Sequence, residues 1–215
     1  MYWSKKDIIN TPTIERLNLI NSITGVKPAN LIASISKTGI SNVAIFSSIV
    51  HLGSNPALLG FLFRPQHEVR RDTYQNIMDN KFYTINRIHS EFIEQAHYTS
   101  AKFDNTESEF EKCQLTEEYL EKFPVPYVKQ SKIKLGMKLE DVLPISINNC
   151  IMIIGSIQHL FIDKNFLNEN GHIDLEKSNE VGIGGLNSYY KLKKIGQFPY
   201  ARVHQLPSFT SKKMT

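Results

Sequence analysis

The sequence predicts a small antiparallel β-barrel with short helices inserted between its strands, rather than a doubly wound sheet. Three observations predict it. Ile-, Phe- and Val-rich runs at residues 30–36, 42–50, 57–63 and 81–88 read as short strands. Turn signals separate the first three, KTGIS at 37–41 and SNPA at 54–57, and KTGIS holds the residues of a hairpin turn, so the first two should pair antiparallel. The helical segments lie between strands instead of alternating with them in the regular rhythm of a parallel sheet.

The elements follow in order. Thr11 and Pro12 start a helix of about residues 11–23, with Ile14, Leu17, Ile20 and Ile23 at helical spacing and Gly25 as its stop. That apolar face should lie against a sheet or a partner subunit. A helix over 72–80 begins with Asp72 as cap and Gln75 in a capping-box position, and SEFIEQAHY at 90–98 is another. An insertion of about residues 104–130 should carry two small surface helices. One is TESEFEKC, with Thr106 and Glu109 as a capping box, and the other is TEEYLEKF at 116–123, closed by Pro124 and Pro126. The apolar CIMIIGSIQHLFI at 150–162 returns the chain to strands. With 215 residues, 41% hydrophobic and 21% charged, one domain over 1–215 is expected.

Composition excludes several function classes. The net charge of +4 is diffuse and no basic stripe interleaves with aromatics, so nucleic acid is not expected as a partner. The longest apolar run is too short to span a bilayer and MYWSKKDIIN lacks a signal-peptide core, so the expected location is the cytoplasm, without a membrane. Cys113 and Cys150 stand in unrelated contexts and read as packing residues, and the seven histidines form no ligand spacing, so no metal is expected. VGIGGLNSYY at 181–190 is not GxGxxG, because Asn187 takes the last position; it reads as a turn. No GxSxG elbow appears, and no acid–base constellation identifies a catalytic residue.

One stretch stands out. HEVRRDTYQNI at 67–77 sets Arg70 and Arg71 against a helix start, where backbone N–H groups are already positive. Basic side chains gather there to share an anion, or are solvated loop charges or pair with Asp72. Read in order, NVAIFSS (42–48), NPALLGFLFRP (55–65), RRDTYQNI (70–77), KFYTIN (81–86) and TSAKF (99–103) resemble the flavin reductase-like family of FMN-binding split barrels, over roughly residues 22–165. The family shows N-x-A-P-F-S, K-D-T-x-x-N-I, V-N and T-S-A in that order. Ile45 replaces its proline, and Arg71 its lysine, which keeps the charge and adds a fork suited to phosphate.

The resemblance implies a split, Greek-key antiparallel barrel that binds FMN. It implies that Arg64, Arg71 and Thr73 hold the phosphate, that Phe46, Ser47, Ser48 and Ile49 line the isoalloxazine, and that Asn86 lies close to the same pocket. Arg70 has no counterpart and stays a surface charge. The implied activity is NAD(P)H-dependent flavin reduction, with hydride passing through flavin N5 to free flavin or an electron-accepting protein. An FMN-binding carrier or sensor without turnover is the alternative, and a relative of the pyridoxamine phosphate oxidases a weaker third. The family also implies a homodimer with FMN near the subunit interface, and the N-terminal helix and the insertion at 104–130 are candidates for dimer contacts or a pocket cover.

Overall fold

The computed structural model describes residues 1–65 and 71–208. Two short helices, α1 (Lys5–Asn10) and α2 (Thr13–Ser22), lead into β1 (Lys27–Pro28), β2 (Asn30–Ile35), β3 (Ser41–Phe46), β4 (Val50–Ser54) and β5 (Ala57–Phe63). Next come α3 (Asp72–Asn80), β6 (Phe82–Arg87), α4 (Ile93–Tyr98), α5 (Glu109–Lys112), β7 (Glu117–Glu118) and β8 (Tyr127–Val128). The long strands β9 (Ile133–Ile145) and β10 (Cys150–Ile162) and the hairpin β11 (Val181–Gly184) and β12 (Ser188–Lys191) follow.

Seven strands form one antiparallel sheet in the order β3-β2-β6-β9-β10-β5-β4. Its two edges, β3 and β4, are joined by residues 47–49 alone. Laid flat, six strand spacings would part those edges by about 29 Å, whereas four Cα steps reach about 14 Å at most. The sheet must therefore curl until its edges nearly meet, which is the predicted barrel, split between β3 and β4.

Alternation along the strands separates two cores. Ile32 of β2, Phe61 and Phe63 of β5, Tyr83 and Ile85 of β6, Met137 of β9 and Ile153 of β10 fill the barrel, with Ile77 of α3 at one end. Leu31, Ala33 and Val43 face outward, where Phe92, Ala96, Phe110, Val181 and Ile183 cover them. Cys113 belongs to this outer cluster and both cysteines are free, so packing is the role of Cys113.

The KTGIS turn is present, with Gly39 at φ +86° and Ser34 opposite Asn42 in the β2–β3 register. VGIGGLNSYY forms the β11–β12 hairpin, with Gly185 in its turn at φ +63°. Several local expectations give way. Residues 42–50 are not one strand, because the chain leaves β3 after Phe46 to reach the opposite edge. TEEYLEKF is not a helix: Glu117 and Glu118 pair with Val128 and Tyr127, and Glu121 and Lys122 take φ of +48° and +56°. Its acidic residues are held elsewhere, Glu117 by the Ser41 hydroxyl and Glu118 by Lys134. The predicted capping box at Thr106 also fails, since Thr106 bonds Asp104 and α5 starts only after Ser108. α1 was not legible as a separate helix; Ser4 and Asp7 close a capping box on it.

Candidate functional site

The site grows from the unprotected start of α3. Arg71, not Asp72, is the N-cap, and its side chain makes no capping hydrogen bond. Asp72 instead occupies the first helical position, where its charge suits the dipole. His67 and Arg70 lie outside the described residues. The Arg71 Nε atom is buried and has no hydrogen-bond partner among the described residues. A buried guanidinium N–H without an acceptor is costly, and an anion that reached it would relieve that cost.

Thr73 is 5% exposed, with its hydroxyl donating to Asn42 Oδ1 at 2.7 Å. Ser34 Oγ donates to the same oxygen at 3.1 Å and accepts from Asn76 Nδ2 at 3.1 Å. Asn42 Nδ2 donates to Glu109 Oε2 at 2.8 Å, and the Val43 backbone N–H reaches that oxygen at 3.1 Å. Burial pushes the Glu109 carboxyl above its ordinary range, and the bonds from its own backbone, Val43 and Asn42 oppose that rise.

Phe46 ends β3 with its ring edge-on to Phe61 and Phe63, each centroid 5.2 Å away. Phe63 packs edge-on against Tyr74 of α3 at 5.5 Å, which places the end of β5, and the exposed Arg64 after it, beside the first turn of α3. Ser47, Ser48 and Ile49 are half-buried in the link between the sheet edges. The Ser48 hydroxyl accepts from Leu62 N at 3.1 Å and donates to Leu62 O at 3.3 Å, tying the link to β5.

The predicted residues thus form one band along β3, with Arg71 and Thr73 at one end and Phe46, Ser47, Ser48 and Ile49 at the other. Asn86 is not brought into it. Wholly buried on the outer side of β6, it accepts from Val128 N at 2.9 Å and donates to Thr84 Oγ1 at 2.9 Å and to Leu31 O at 3.4 Å. Two open clefts of about 620 and 450 Å³ border the β11–β12 hairpin and contain none of the predicted residues. In the first, His97 Nδ1 lies 3.0 Å from the Tyr189 hydroxyl, whose pKa burial pushes up to about 12.

Sequence reasoning missed Ser34, Asn42, Asn76 and Glu109. Asn42 and Asn76 stand inside the motifs NVAIFSS and RRDTYQNI and could have been singled out there. Glu109 gave no such signal, because its place in a helix start imitates a cap.

Comparison with known proteins agrees with this architecture. The profile of the Flavin reductase like domain matches residues 26–176. A crystal structure of a split barrel domain protein from Shewanella frigidimarina NCIMB 400, described by its family likeness to flavin reductases, is 42% identical, covers 94% of this chain and 100% of its own, and superposes with a TM-score of 0.89. Nitrilotriacetate monooxygenase component B from Bacillus cereus is 22% identical, over 93% of this chain and 98% of its own, at 0.80. Flavoredoxin of Desulfovibrio vulgaris (Miyazaki F) is 20% identical, over 84% and 92%, at 0.68. The latter two share the fold. With the profile spanning most of the chain and a 42% identical structure aligned along nearly all of it, this chain belongs to the flavin reductase like domain family.

Proposed function

We propose that this oxidoreductase binds FMN along β3 and works as an NAD(P)H-dependent flavin reductase, passing hydride to free flavin or to a partner protein. The observation that carries the reading is the buried Nε of Arg71 at the start of α3, which has no hydrogen-bond partner among the described residues. The residues fit the cofactor. Arg71 and the first backbone N–H groups of α3 would hold the phosphate, with Arg64 and Thr73 beside them. Phe46, Ser47, Ser48 and Ile49 would bear on the ring system. When bound, FMN supplies hydride acceptance and release at N5. The protein's part is to fix the ring against the Phe46 end of β3 and leave one face open to a nicotinamide. Asn86, with its bonds inside the protein, would support the site by pinning Val128 against β6.

The test is direct. Purified protein supplied with FMN should oxidise NADH or NADPH, and without added or bound flavin it should not. Flavin binding with neither nucleotide oxidised would favour the carrier or sensor reading, and a protein unable to take up FMN would remove both.

We also propose that the working form is a cytoplasmic homodimer of single-domain chains. None of the residues of α2 is buried, and Ile14 and Ile23 are 71% and 72% exposed. A ten-residue helix with no covered face does not hold itself together in water. After β12 the chain leaves the body, with Ile195, Phe198, Tyr200 and Val203 all exposed. A second copy would cover both features and finish the half-buried 46–49 segment. Light scattering should therefore give twice the 24.6 kDa chain mass, and removal of residues 192–215 should shift it towards the monomer. A monomer at micromolar concentration would contradict the proposal.

A further inference from the structure

The network behind Thr73 has one consistent direction, and Glu109 sets it. As a carboxylate oxygen Glu109 Oε2 only accepts, from the Val43 backbone N–H and from Asn42, whose atom beside it is then the amide nitrogen. Asn42 Oδ1 then faces Ser34 and Thr73, and both hydroxyls must give it their hydrogens. Ser34 Oγ, having donated, accepts from Asn76. The single hydrogen of the Thr73 hydroxyl is therefore committed to the protein interior, and only lone pairs remain to face an anion.

We propose that Glu109 is a positioning residue for the FMN phosphate. Through Asn42 it draws the Thr73 hydroxyl inward and holds the first turn of α3 against β3, so that backbone N–H groups and Arg71, not the Thr73 hydroxyl, meet the phosphate. The assignment rests on the FMN reading above. Glu109 enters from the 104–130 insertion, reaches the free edge of β3 at Val43 and is 8% exposed, with Asp72 close enough to raise its pKa further. The insertion thereby acts on the phosphate end from the free edge of β3.

The experiment compares dissociation constants for FMN and riboflavin, read from flavin fluorescence on binding. Riboflavin lacks the phosphate, so the ratio isolates that end of the site. Glu109→Ala should lose about tenfold in FMN affinity with riboflavin unchanged. Glu109→Gln should keep the parent ratio, since one carbonyl oxygen can accept both bonds that Oε2 accepts. An FMN-to-riboflavin ratio in Glu109→Ala within twofold of the parent, or a fall for Glu109→Gln as large as for Glu109→Ala, would overturn the proposal. Should Glu109→Ala fail to fold, Glu109→Asp decides: it keeps the charge but withdraws the acceptor by one methylene. It should lose several-fold in the ratio, and an unchanged ratio would overturn the proposal. A parent protein that binds FMN no better than riboflavin would instead overturn the FMN reading on which it rests.

Discussion

Arg71→Ala is expected to weaken FMN binding by about 1.5–3 kcal/mol, roughly ten- to a hundredfold, as for loss of a charge-assisted phosphate contact. Riboflavin affinity should be unchanged, since the lost contact is to the phosphate alone. The size follows from where the guanidinium stands. An exposed arginine gives its anion little because water competes for both. Here Nε is already buried and without an acceptor among the described residues, a desolvated donor that the phosphate would satisfy. Arg71→Lys should retain part of the affinity, because it keeps the charge and loses the planar fork. Titration with FMN and riboflavin checks all three values, and equal FMN affinity in parent and Arg71→Ala would remove Arg71 from the site.

The largest expected stability effect lies inside the barrel, at Gly155. A Cβ there would stand 2.1 Å from the Tyr83 hydroxyl and 2.9 Å from the Lys138 backbone oxygen. Tyr83 has no room to give, being fully buried with its ring 5.6 Å from that of Phe61, and its hydroxyl has no hydrogen-bond partner among the described residues. Gly155→Ala should therefore cost about 3 kcal/mol, at the upper end for overpacking. For a chain of this size that is a fall in Tm of roughly 6–12 °C. The pair Gly155→Ala with Tyr83→Phe should recover part of the loss, because the atom in closest conflict is removed together with a buried, unsatisfied polar group. A single Gly155→Ala variant that melts with the parent would show that Tyr83 is not fixed as described.

The barrel was legible because its signals are local: β-branched and aromatic runs, a glycine turn, and a second turn with proline. α3 was readable to its last residue for the same reason. The readings that failed depend on contacts distant in sequence. TEEYLEKF has helical composition, but Glu117 and Glu118 are claimed by Ser41 and Lys134, and the pairing with Tyr127 and Val128 decides the backbone. The segment 46–49 was singled out by its motif, yet its bend follows from barrel closure, which no single strand announces. Glu109 is the clearest case. By spacing it was a capping residue, and only the fold shows it against Asn42 and Val43, 67 and 66 residues away in sequence. The band from Arg71 to Ile49 came from motif order, whereas the polar network supporting it came from three-dimensional proximity.

The central claim is that FMN lies along β3 with its phosphate at the start of α3. A crystal structure of the protein grown with FMN tests it most directly. The account predicts phosphate oxygens within hydrogen-bond distance, about 3 Å, of Arg71 Nε and the first backbone N–H groups of α3, and the isoalloxazine against Phe46, Ser47, Ser48 and Ile49. A flavin seated elsewhere, with Arg71 still unpartnered, would contradict it.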